Sequence, residues 1–82
     1  MEAEKIEHLK GLSVINATKH LMSKYALNHE DAYKKLLNSE TYQILMESNS
    51  GLFLESDSYL NTALDTEFDK NKEALYDYIS SN

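Results

Sequence analysis

Three histidines and three spaced carboxylate pairs are the residues of this chain whose types could support chemistry. His8, His20 and His29 lie 12 and 9 residues apart. A helical zinc site sets two histidines four residues apart with an acid in support, and this chain has neither that spacing nor a cysteine to complete a ligand set. The histidines therefore read as solvated or partly packed imidazoles. His20 and Lys24 share a polar face of one expected helix, where a catalytic role would lack a partner acid. Asp65 with Asp69, Glu73 with Asp77, and Glu55 with Asp57 are the carboxylate pairs. Such pairs bind a divalent cation, or split their pKa values for acid–base work, when a pocket desolvates or crowds them. A short helical chain offers little of that. Nine serines include no Gly-x-Ser-x-Gly elbow, and Gly11 and Gly51 stand too far apart to form a phosphate-cradling loop. The expectation is a non-enzymatic chain with no catalytic, cofactor-binding or metal-ligating residues.

The elements that would have to position any site are helices. The 82 residues suffice for one domain with a small core and a thin margin of stability. Twelve leucines against five Val or Ile favour helix over sheet, and the lack of proline with only two glycines removes the turn chemistry of a many-stranded fold. A first helix is expected from about Glu2 to Tyr25, with Ile6, Leu9, Val14, Ala17, Leu21, Met22 and Tyr25 along one side and a point of weakness at Gly11. Asn28 reads as the N-cap of a helix over about His29 to Leu37, with Leu27 and Ala32 as its hydrophobic staple. Asn38 ends that helix, and Ser39 caps another over about Glu40 to Ser48. Gly51 suits the left-handed position after a helix end. Ser56 or Asp57 then caps a helix carrying Tyr59, Leu60, Ala63, Leu64 and Phe68. The apolar stripe pauses at "DKNKEA", so residues 69–82 read as a frayed tail, an antiparallel return or a partner-docking segment. The fold expected is an all-α, compact bundle of four to five short helices in a single domain, residues 1–82.

Charge is unevenly placed along the chain. The formal net charge of −6 divides into +1 over residues 1–38 and −7 over residues 39–82. All eight basic residues are lysine, so there is no guanidinium fork for phosphate, carboxylate or guanine. "LNHEDAYKKLLNSETYQIL", residues Leu27 to Leu45, has the form of a helix-turn-helix. Its second helix carries Glu40, Gln43, Glu47 and Ser48 on the polar side and would repel a phosphate backbone, although Lys19, Lys24, Lys34 and Lys35 lie nearby. Nucleic acid is thus a disfavoured partner, and a DNA-binding regulator using residues 28–48 is the alternative reading. The acidic start lacks the basic and apolar regions of a signal peptide, and no apolar run exceeds three residues, so the expected setting is cytoplasmic with no membrane contact.

Six tyrosines against two phenylalanines and no tryptophan are the remaining compositional signal. Tyr33, Tyr42 and Tyr59 fall where rings seal a core edge, whereas Tyr76 and Tyr78 sit in an acidic segment with little obvious core to join. The partner-binding set drawn from these patterns is Tyr59, Asp65, Asp69, Tyr76 and Tyr78, aimed at another protein with a basic surface. A homodimer or larger homo-oligomer that buries the C-terminal stripe is the second alternative.

The run "YALNHEDAYKKLLNSETYQILMESNSGLFLESDSYL", Tyr25 to Leu60, resembles small helical proteins of Gram-positive bacteria. Their pattern is a capped L-x-x-x-x-A-Y-x-x-L helix, a second short helix and an S-x-x-Y-L step into the last one. Some such proteins are encoded beside toxin-like genes, including ADP-ribosyltransferase-like ones. The resemblance implies an antitoxin-like or accessory role in a bacterial cytoplasm and carries over no site residues.

Overall fold

The computed structural model describes residues 3–81 as five α-helices and two short 3-10 turns, with no strand among them. Helix α1 (Ala3–Tyr25) runs unbroken through Gly11; the expected start at Glu2 lies outside the described residues. Two consecutive backbone features end it. Ala26 takes the left-handed conformation (φ 54°), and the Leu27 amide donates back to the Met22 carbonyl at 3.1 Å. This is a Schellman closure with alanine where glycine is usual.

Helix α2 (His29–Leu37) begins at Asn28, whose side chain accepts from the Asp31 amide, and Leu27 and Ala32 pack in one cluster as the staple requires. Helix α3 (Glu40–Met46) follows after Asn38 and Ser39. Ser39 is fully buried; its hydroxyl donates to the Leu36 carbonyl at 2.6 Å and accepts from the Tyr42 amide at 3.0 Å, so it closes α2 and opens α3 together. The tripeptide Leu52–Leu54 forms the second 3-10 turn after Gly51 (φ 71°), and it buries Leu52 and Phe53. Helix α4 (Asp57–Asp69) is capped by Ser56, and α5 (Lys72–Ser80) by Asn71, whose side chain accepts from the Ala74 amide.

Among the three readings of the C-terminal segment, the antiparallel return is the one formed. Helix α5 folds back along α4, placing Tyr78 against Tyr59, and Leu75 is fully buried. The core has two lobes: Ala17, Leu21, Ala32, Leu36 and Leu64 in one, and Leu45, Leu52, Phe53 and Leu60 in the other. Val14 packs against both and joins them.

With seven residues, α3 is too short to hold itself, since an isolated helix below a dozen residues is marginal in water. Distant charges hold both its ends. The Glu67 carboxylate of α4 accepts from the Glu40 amide (2.8 Å), the Thr41 amide (2.9 Å) and the Thr41 hydroxyl (2.8 Å). With Ser39 receiving the Tyr42 and Gln43 amides, the free donors of the first turn are all satisfied. At the other end Lys10 of α1, only 5% exposed, donates from Nζ to the Met46 carbonyl at 2.8 Å. An anion at the helix start and a cation at its end both oppose the macrodipole favourably.

Two stability outcomes follow. Glu67→Ala leaves partly buried amides unpaired and should lower the unfolding free energy by about 1–3 kcal/mol in a urea titration, with Glu67→Gln losing less because an acceptor remains. Ala26→Gly removes the left-handed penalty and should raise stability by about 0.5–1 kcal/mol in the same assay.

Candidate protein-interaction site

The five residues proposed for partner binding occupy three different settings in the folded chain. Asp65 and Asp69 lie on the side of α4 that faces α1. The contacts Asn16–Asp57, His20–Asp65 and Lys24–Asp69 advance together along both helices, so α1 and α4 run in the same direction with these pairs as a seam. His20 Nε2 lies 2.7 Å from Asp65 Oδ1; Lys24 Nζ lies 3.0 Å from the same oxygen and 2.6 Å from Asp69 Oδ2. The tertiary fold therefore supplies His20 and Lys24 with the acids that the sequence around them lacks.

Aromatic rings close the end of this seam. The Tyr25 hydroxyl donates to Asp69 at 3.3 Å, its ring meets Phe68 edge to face at 6.3 Å, and Lys35 Nζ stands over both rings at 4.7 and 4.2 Å. The hydrogen bond to Asp69, with Asp65 adding to it, raises the Lys24 ammonium well above the ordinary lysine range. The same bond depresses Asp69 below the usual carboxylate range. Burial, followed by the nearby Asp69, raises the Tyr25 phenol. A histidine bonded to a carboxylate is half of a base–orienter arrangement, but the Asp65 oxygen that meets His20 also meets Lys24. Its geometry is that of a strap between helices. Among the described residues, no group of three or more His, Cys, Asp or Glu stands where it could hold a metal ion.

Tyr76 points to the other side of α5. Its hydroxyl donates to Glu40 Oε1 at 2.7 Å, and Lys72 Nζ lies 3.5 Å from Glu40 Oε2. The Tyr76 hydrogen bond, aided by Lys72, lowers the Glu40 carboxyl, and the reciprocal effect raises the Tyr76 phenol. Tyr76 thus fastens α5 to the start of α3 while remaining 46% exposed.

Tyr59 and Tyr78 do come together. Their rings lie 4.9 Å apart, tilted by 34°, across the α4–α5 hairpin. Beside them runs a cleft of about 420 Å³ lined by Thr66, Lys70, Ala74, Asp77, Tyr78 and Ser81. Asp77 and Glu73, one turn apart on α5, are both exposed, and neither forms an ion pair among the described residues. Glu73 and Asp77 were legible from the sequence as an i, i+4 pair, yet which acids stay outward is decided by the direction of α5. No helix among the described residues is long and apolar enough to cross a membrane. Compared with known proteins, the chain matches no family model, no curated protein and no solved structure.

The depressed carboxyls give stability a defined acid limb. Asp69 and Glu40 bind protons less tightly folded than unfolded. Their contribution is complete above the unfolded carboxylate pKa of about 4 and is lost as pH falls through the lower folded values. The urea midpoint should hold from neutrality to about pH 5 and then decline, and Asp69→Asn should show a shallower decline over that acid range. An unchanged slope in that variant would remove Asp69 from the account.

Proposed function

We propose that the chain is a protein-binding module whose α4–α5 hairpin lies on a basic surface of a partner protein and occludes it. The observation that carries this reading is the exposed pair Glu73 and Asp77 on α5, the latter lining one cleft with Tyr78 of the Tyr59–Tyr78 ring pair; among the described residues neither acid forms an ion pair, while Asp65 and Asp69 are drawn into the seam with α1. Unpaired exposed carboxylates accelerate encounter with a basic partner, and adjacent tyrosines supply contact area that slows release. Asp65 and Asp69 contribute the outward part of their charge, and Tyr76 the exposed part of its ring, to the same acidic half of the chain. The resemblance to proteins encoded beside toxin-like genes gives the partner class: a toxin whose active-site or nucleic-acid groove is basic, with this chain in an antitoxin-like role.

The DNA-binding alternative draws less support. A recognition helix offers its N-terminal residues to base edges, and here the start of α3 is covered by Glu67, with Glu40 engaged by Tyr76 and Lys72. Of the four lysines that would meet phosphates, Lys24 is paired with Asp65 and Asp69, Lys35 lies over Tyr25 and Phe68, and Lys34 pairs with Glu30 at 3.1 Å, which leaves Lys19 exposed and without an ion pair among the described residues.

Affinity capture from lysate of the encoding cell, with nuclease treatment and two baits, tests the proposal. The native bait should retain a basic protein at low salt and release it as salt rises; Glu73→Lys/Asp77→Lys should bind it roughly tenfold more weakly. Equal retention by both baits would end the hairpin reading, and loss of the captured material on nuclease treatment would favour the DNA alternative.

A further inference from the structure

Gly11 sits near the middle of α1, where glycine is the least favourable helix residue after proline. Nothing in the fold requires it: a Cβ built there meets no atom within 4 Å. Beside it are two of the most exposed large apolar side chains, Leu12 (45%) and Ile15 (53%). Gly11 and Ile15 border a depression of about 460 Å³ whose other walls are Val14, Tyr33, Tyr42 and Met46, with the charged Glu7 and Lys10 also lining it. The notch is shaped for an apolar side chain from outside.

The ridge through this notch is Glu7, Gly11, Ile15 and Lys19, one residue every four along α1, all exposed. Ridges of this i±4 spacing are the ones that meet in the commonest class of helix crossing. Its order, acid, notch, apolar knob, cation, is complementary to itself when reversed. Glu7 and Lys19 are symmetric about Ser13, and so are Gly11 and Ile15. A two-fold axis at the level of Ser13, passing between Gly11 and Ile15 on the exposed side while Ser13 itself is buried on the other, therefore satisfies charge and shape at the same register, as an isologous interface demands.

We propose that a second copy of this chain docks on α1 in antiparallel orientation. Glu7 of each copy lies opposite Lys19 of the other, and Ile15 of each enters the notch at Gly11 of the other, against Tyr42 and Met46. Glu7, Gly11, Ile15 and Lys19 are not the α1 residues that bond to α4, which are Asn16, His20 and Lys24, so the dimer leaves that seam intact.

Sedimentation equilibrium of the full chain up to about 1 mM, a range that reveals micromolar to millimolar association, tests this. The mass should rise from 9.4 kDa toward twice that value. Gly11→Leu should weaken the association at least roughly tenfold by filling the notch. Gly11→Ala should raise the melting temperature of the dilute monomer by on the order of 4 °C while weakening dimerisation, which separates helix propensity from contact. Glu7→Lys and Lys19→Glu should each self-associate poorly, yet an equimolar mixture of the two should form a heterodimer, because both charge pairs are restored. A mass fixed at 9.4 kDa throughout would overturn the proposal, as would a dimer indifferent to Gly11→Leu and to both charge reversals.

Discussion

The structure depends on the holding of α3 at its two ends. This seven-residue helix lies between the core lobes, with Tyr42 packed against one and Leu45 in the other, and it cannot persist without external partners for its end groups. Lys10 and Glu67 supply them from 36 and 26–27 residues away, from α1 and α4. Because both donors of charge are themselves on packed helices, the contact works in both directions: α3 is stabilised, and α1 and α4 are fixed at a set distance. Buried charged groups are tolerable here because each meets hydrogen-bond partners at a helix end, where the partial charges have the opposite sign.

The same economy of partners determines which charges face outward. Asp65 and Asp69 turn toward His20 and Lys24, and Glu40 turns toward Tyr76 and Lys72. These contacts are partly solvated, so each adds only modestly to stability while it fixes register and orientation. Glu73 and Asp77 remain exposed on α5, with Asp77 lining the same cleft as Tyr78. The charge asymmetry between chain halves is thereby reduced at the α1–α4 seam and left exposed at Glu73 and Asp77 on the C-terminal hairpin.

Local signals were the readable part. Asn28, Ser39 and Ser56 each cap a helix through an amide three residues on, and Gly51 takes a positive φ, all chemistry confined to one turn of chain. The pause at "DKNKEA" was harder. Asn71 starts α5 there by the same capping chemistry, but the single buried Leu75 gives too little periodicity to distinguish a docked helix from a frayed one. Candidate site residues were legible only by type. Tyr76 and Tyr78 are two positions apart and so point to different sides of α5, one to Glu40 and one to Tyr59.

By itself the sequence determined the helical class, the cap positions and the excess of acid in the second half, because each follows from residue type and short spacing. Tertiary structure alone decided that Lys10 and Glu67 close α3, that His20 and Lys24 acquire Asp65 and Asp69, and that Glu73 and Asp77 keep their charge exposed. Those outcomes depend on the relative direction of helices separated by 26 to 45 residues, and direction is fixed by packing of the two core lobes, which no local pattern encodes.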